Sequence, residues 1–265
     1  MFRYVAAVAA LLISAVQCAA HDQWVEVNTN VTRVGDAVHI NLMLGNHGND
    51  HRDFKVAGKA DPAAGSLEII APGGKRFDLL SELVDTGYAP REGYWTTRFV
   101  GEQEGLYAVA RLSDQVVRYA PKRSVQSAKA FFVLSHTLDK VAADQPDFDR
   151  PLGHPYELVP EVNPVATMGP GRAIRLRLLF RGQPAADEVV SFVARGEQVA
   201  EGFDPLHQAK TDSEGRVTFV PREGNHYLVS AHREQADETG NGYDSTKYAA
   251  TLWIYVPQTC PCCLE

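Results

Sequence analysis

Apolar and polar residues alternate with a period of two through most of this chain. Over residues 36–44, Val38, Ile40, Leu42 and Leu44 fall on one face, while His39, Asn41 and Met43 fall on the other, which predicts a half-buried strand. Residues 67–70 read as a strand that runs into an Ala-Pro-Gly-Gly turn. Residues 94–100 and 106–112 flank a Gly-Glu-Gln-Glu-Gly break and are expected to be consecutive antiparallel strands, and 128–134 is a strongly apolar run. After a polar, proline-rich stretch at 144–155 the strand signals resume at 173–180, 188–194, 211–219, 227–231 and 249–256. Helical periodicity is almost absent. The pattern predicts an all-β chain of two antiparallel β-sandwich domains in tandem, over residues 21–143 and 157–257, with a short tail at 258–265.

The first twenty residues break this pattern. Arg3 precedes an apolar run from Tyr4 to Val16, and Cys18-Ala19-Ala20 offers the small residues read by a signal peptidase. Cleavage after Ala20 is expected, which leaves His21 as the first mature residue and places the protein in a periplasm or outside the cell. Lipidation at Cys18 is the rival reading, but Gln17 stands where a small residue normally precedes a lipidated cysteine. No other apolar run approaches the ~20 residues of a membrane span.

Charge and cysteine content narrow the chemistry. Loss of Arg3 with the leader leaves 25 basic against 33 acidic residues, a net −8, which argues against a nucleic-acid partner. With Cys18 removed, the remaining thiols are Cys260, Cys262 and Cys263, clustered at the C-terminus instead of spread as a disulfide framework. They can bind a soft metal, or two of them can pair.

The runs RGQPAADEVVSF (181–192) and TDSEGRVTFVPREGNHYLVSA (211–231) make the second half resemble carboxypeptidase-regulatory or transthyretin-like modules. HDQW (21–24), GHPYELVPEVNPV (153–165), GYDSTKYAATLWIYVP (242–257) and CPCC (260–263) extend the resemblance. Together they resemble the periplasmic component associated with ABC-type cobalt and nickel uptake systems, a family long catalogued as a domain of unknown function. That resemblance implies metal handling at the periplasmic face, with nickel or cobalt favoured over zinc or copper and an inner-membrane ABC-type metal transporter as partner.

Several residues have the chemistry for such a role. A mature N-terminal His21 would offer imidazole and α-amino nitrogens to one ion. His47 and His51 stand four apart in a polar loop, where Asp50 can add an oxygen or orient an imidazole. The alternative for that loop is a set of ordinary turn hydrogen bonds. His154 lies at the domain junction, where packing competes with ligation. His226 and His232 share a strand face but stand ~20 Å apart along it, so only His232, at the strand end, is a candidate for an inter-domain site. The set of candidate metal ligands is therefore His21, His47, Asp50, His51, His154, His232, Cys260, Cys262 and Cys263.

No nucleophile elbow, zinc-protease helix or phosphate-binding glycine loop is present, so no enzyme is expected. The leading expectation is a metal-binding protein that delivers ions to a transporter. The alternatives are a metal-free structural or adhesion module, or a copper enzyme in which an N-terminal histidine brace on a β-sandwich oxidises polysaccharide.

Overall fold

The computed structural model describes residues 21–46, 55–87, 89–117, 120–138, 141–142 and 144–259. In chain order the strands are β1 (Asp22–Val27), β2 (Val31–Arg33), β3 (Ala37–Asn46), β4 (Lys55–Gly58), β5 (Gly65–Ile70), β6 (Arg76–Asp78), β7 (Val84–Asp85), β8 (Trp95–Val100) and β9 (Gly105–Val116). They continue as β10 (Lys122–Ser135), β11 (Tyr156–Pro160), β12 (Ile174–Phe180), β13 (Gln183–Pro184), β14 (Val189–Ala194), β15 (Gln208–Lys210), β16 (Arg216–Phe219), β17 (Asn225–Gln235) and β18 (Ser245–Val256). The helical elements among the described residues are short 3-10 turns. The protein is all-β, as its patterning predicts.

Three sheets form three layers. The central one has nine strands in the order β15-β14-β17-β18-β10-β9-β5-β6, with β2 also on β10. A five-stranded sheet, β1-β3-β8-β7 with β4 on β3, covers one face, and a four-stranded sheet built around β12 covers the other. The parity of β10 shows this division. Ala128, Ala130, Phe132 and Leu134 pack with Val25, Ile40 and Leu42 in one core, whereas Val125, Phe131 and Val133 pack with Leu158, Ile174 and Leu176 in the second. On β18, Trp253 belongs to the first core, and Ala250, Leu252 and Ile254 to the second. Strands buried on both faces have no polar side to show, which is why 128–134 and 249–256 read as continuous apolar runs. Each fully buried Leu, Ile or Phe contributes roughly 1.5–3 kcal/mol.

Two sandwich cores are therefore present, and they share a sheet. The seam is parallel: β10 pairs with β18 from Lys122↔Ser245 to Ala130↔Trp253. A parallel pair needs a long crossover, and residues 136–244 supply it. Main-chain hydrogen bonds, and not a linker alone, hold the halves together.

Two local expectations change. Strands β8 and β9 do not pair, because the break between them carries the chain from the outer sheet to the central one. Gly101 permits the crossing: a Cβ there would lie 2.4 Å from Leu134 Cδ1. Met43, on the expected polar face of β3, is buried, whereas His39 on that face is exposed.

Candidate functional site

The most polar part of the interior lies where β1 crosses the central sheet. All six residues of β1 are buried, including Asp22, Gln23 and Glu26. One edge of β1 pairs with β3, from Asp22↔Gly45 to Val27↔Ile40. Side chains of the central sheet serve the other edge: Gln23 N–H donates to Gln126 Oε1 (2.7 Å), and Thr251 Oγ1 donates to the Gln23 carbonyl (2.8 Å). Gln126 Nε2 also donates to the His21 carbonyl at 3.2 Å.

At the start of β1, both Asp22 carboxylate oxygens lie close to His232 Nε2, at 2.8 and 2.9 Å. Asp22 is only 1% exposed, so an ordered imidazole is the partner its buried carboxylate requires. His232 reaches it because it shares a β17 face with Leu228, which packs in the first core. His21 precedes Asp22 in the chain. Of the sequence candidates, His232 meets Asp22 directly, whereas His21 adjoins it along the chain. Strand β3 ends at Asn46, one residue past Asp22's partner, so it leaves the sheet at this same corner.

At the far end of β1, Glu26 Oε1 accepts from Trp24 Nε1 (2.8 Å) and Arg195 Nη2 (2.6 Å). His226, stacked against Trp253, is held below the usual imidazole range by burial first and then by Arg195. Both β17 histidines face β1, at its opposite ends, in keeping with their shared face and wide separation.

His154 lies on the other face of the central sheet. It is buried, and its Nδ1 shares a 2.7 Å hydrogen bond with Ser127 Oγ. Beside it, Lys129 and Glu157 form a buried ion pair, and Lys129 also donates to the Leu158 carbonyl at 3.1 Å. These surroundings are those of a packed junction.

His47, Asp50, His51, Cys260, Cys262 and Cys263 lie outside the described residues. Among the described residues, no group of three or more His, Cys, Asp or Glu is arranged to hold a metal ion. The side chains that meet at the β1 corner, the His232 imidazole and the Asp22 carboxylate, are of a type that nickel, cobalt, zinc and copper all accept. In the observed arrangement Asp22 bonds the His232 ring, so an ion would have to replace that contact. Sequence reasoning missed Asp22 altogether; its one signal was its place beside His21.

Residues 18–235 match the family described as a domain of unknown function, DUF4198. The chain belongs to the DUF4198 family. That description names no activity, so cobalt or nickel uptake does not follow from membership, and all of β18 lies beyond the matched DUF4198 segment. No curated protein matches the chain. Among solved structures, the D0-D1 domain of intimin aligns over 88% of this chain and 97% of its own, at 11% identity and a TM-score of 0.23. A Salmonella alpha-2-macroglobulin aligns over 91% of this chain and 15% of its own, at 11% identity and 0.27. A DUF4785 family protein from Legionella pneumophila aligns over 78% and 50%, at 10% and 0.27. Likenesses this low add nothing to the architecture visible in the sheets themselves.

Proposed function

We propose that this DUF4198 chain is an exported, non-catalytic structural module of the adhesion type. The observation that carries this reading is the shared central sheet, which joins two filled cores into one stiff body and buries the polar groups of β1 in mutual hydrogen bonds. A rigid contact element supports it. Phe203 and Leu206 are 52% and 58% exposed on a loop held by Asp204, whose carboxylate accepts from Ala200 N–H (3.0 Å) and Leu206 N–H (2.9 Å). Large apolar side chains held out to water by a fixed backbone suit a contact surface. The test is urea unfolding of the mature chain, followed by circular dichroism and tryptophan fluorescence with and without chelator. Coincident transitions that the chelator does not move are expected. Loss of β-structure on metal removal would sink the reading.

A second reading, transition-metal binding for delivery to an inner-membrane transporter, is favoured by one observation: the contact of His232 with Asp22 at the corner where β3 ends, with His21 next in the chain. Nickel, cobalt, zinc or copper would be the ion, and the His21 amine would join the donors once the leader is removed. Calorimetric titration of protein with a mass-verified N-terminus tests this. Binding should weaken at least tenfold, about 1.4 kcal/mol, in His232→Ala and when Ala20 is retained. Equal affinity in both would exclude the corner.

A further inference from the structure

The segment joining the two halves reaches the central sheet through a cluster that the proposed function does not use. Glu157, at the start of β11, accepts from three successive backbone donors: Leu152 N–H (2.5 Å), Gly153 N–H (3.0 Å) and His154 N–H (3.2 Å). Its carboxylate also pairs with Lys129 of β10. The loop 152–154 is thus wrapped around one buried carboxylate, with the His154 ring seated on Ser127 of β10. A small hollow beside it, between this segment and the sheet, is lined by Lys129, Phe131, Asp147, Arg150 and Leu152.

We propose that His154 makes this segment an acid-released latch, which holds the connection against the central sheet at neutral pH and lets it swing out when the imidazole takes a proton. The groups facing His154 decide the direction. Lys129 from β10 and Arg76 from β6 oppose a second positive charge, and Glu157 from β11 favours it. Burial outweighs them all, and with the two cations it brings His154 down to about 4 from its ordinary 6.5. Glu157 cannot reverse this, because Lys129 and three backbone donors already engage its oxygens.

The sign follows from linkage. An opened segment exposes His154 to water, where it protonates near 6.5, while the closed one resists until about 4. Closure is fully favoured above about pH 6.5 and loses ground as the pH falls towards 4. With those two values, opening at pH 5 is favoured up to about twentyfold over neutral pH. The movement is local because His154 contributes nothing to the β10–β18 ladder, whose register runs without it. Opening also admits water to the Lys129–Glu157 pair, which eases the desolvation that pair bears when closed.

The test is hydrogen–deuterium exchange on the full mature chain, corrected for intrinsic rates, from pH 7 to pH 4.5. Peptides covering 148–158 should exchange between about fivefold and twentyfold faster at pH 5 than at pH 7, while those from β10 and β18 hold their protection. His154→Gln keeps a polar group facing Ser127 but cannot gain charge in this range, so its 148–158 peptides should show a flat profile. A His154→Gln profile that falls like the wild type would overturn the latch. If that variant does not fold, the wild-type imidazole is followed by NMR instead. Titration of His154 near 6.5, or an unchanged 148–158 profile, would equally overturn it.

Discussion

Glu157 and Asp22 are both buried carboxylates, but their partners differ in number, and so should the effects of removing them. Lys129→Met strips one cation from Glu157 and should cost roughly 3 kcal/mol, the usual penalty for leaving a buried charge alone. Glu157→Leu should cost more, because the Leu152, Gly153 and His154 N–H groups lose their acceptor as well, each worth about 1 kcal/mol. Urea midpoints should rank wild type, then Lys129→Met, then Glu157→Leu; the reverse order would mean that the ion pair matters more than the loop. For Asp22, His232→Ala should cost about 2–3 kcal/mol, with His232 partly solvated, and adding Asp22→Asn should recover part of that loss. A strictly additive double mutant would show that the two side chains do not act as a pair. His232 stood out in the sequence as a histidine at a strand end. Asp22 did not, because a carboxylate near a chain start reads as solvated unless its burial is known.

Strand β1 is the element whose placement the pattern concealed. Its polar positions 22, 23 and 26 spoil the alternation of an ordinary half-exposed strand, and only Val25 and Val27 keep an apolar period. In the fold those polar side chains are answered from other strands: Asp22 by His232, Glu26 by Arg195, and Gln23 Oε1 by the wholly buried Arg111 at 3.4 Å. The free edge of β1 is the kind that invites pairing with another chain, and Gln126 and Thr251 cap it. Gln126→Leu should therefore destabilise by about 1–3 kcal/mol, since Gln23 N–H loses its acceptor in a buried place. Amide exchange is the specific readout. Gln23 should lose protection more than the β10–β18 amides, and equal loss throughout would show that Gln126 matters only as packing. By contrast, β3, β5, β12, β18 and the 128–134 stretch of β10 were all legible, because their patterns depend mainly on burial of one or both faces.

At the scale of the molecule, the shared sheet should make the two cores unfold as one. Leu42 and Leu176 are buried in different cores on opposite faces. Truncating either to alanine should cost roughly 2–5 kcal/mol. If β10 and β18 couple the cores, calorimetry of both variants will show a single endotherm moved to lower temperature. Separate transitions, with each variant moving only one, would mean that the seam is too weak to couple them. Acid should act less uniformly, loosening the 152–154 loop while this common body stays intact.

The chain by itself determined the all-β class, most strand positions, the polar connection at 144–155 and the histidines at 154 and 232, because a period of two and a break in it are local properties. Tertiary structure alone decided that the two sandwiches share a sheet, that β8 and β9 part company, and that β1 is a buried crosspiece whose aspartate meets a histidine 210 residues away. Those outcomes rest on pairings between distant residues. Main-chain hydrogen bonds are the same for every sequence, so the choice of neighbour for β10 is not written in its own pattern. It follows from which faces must be covered at once, and that is settled only when all three layers pack.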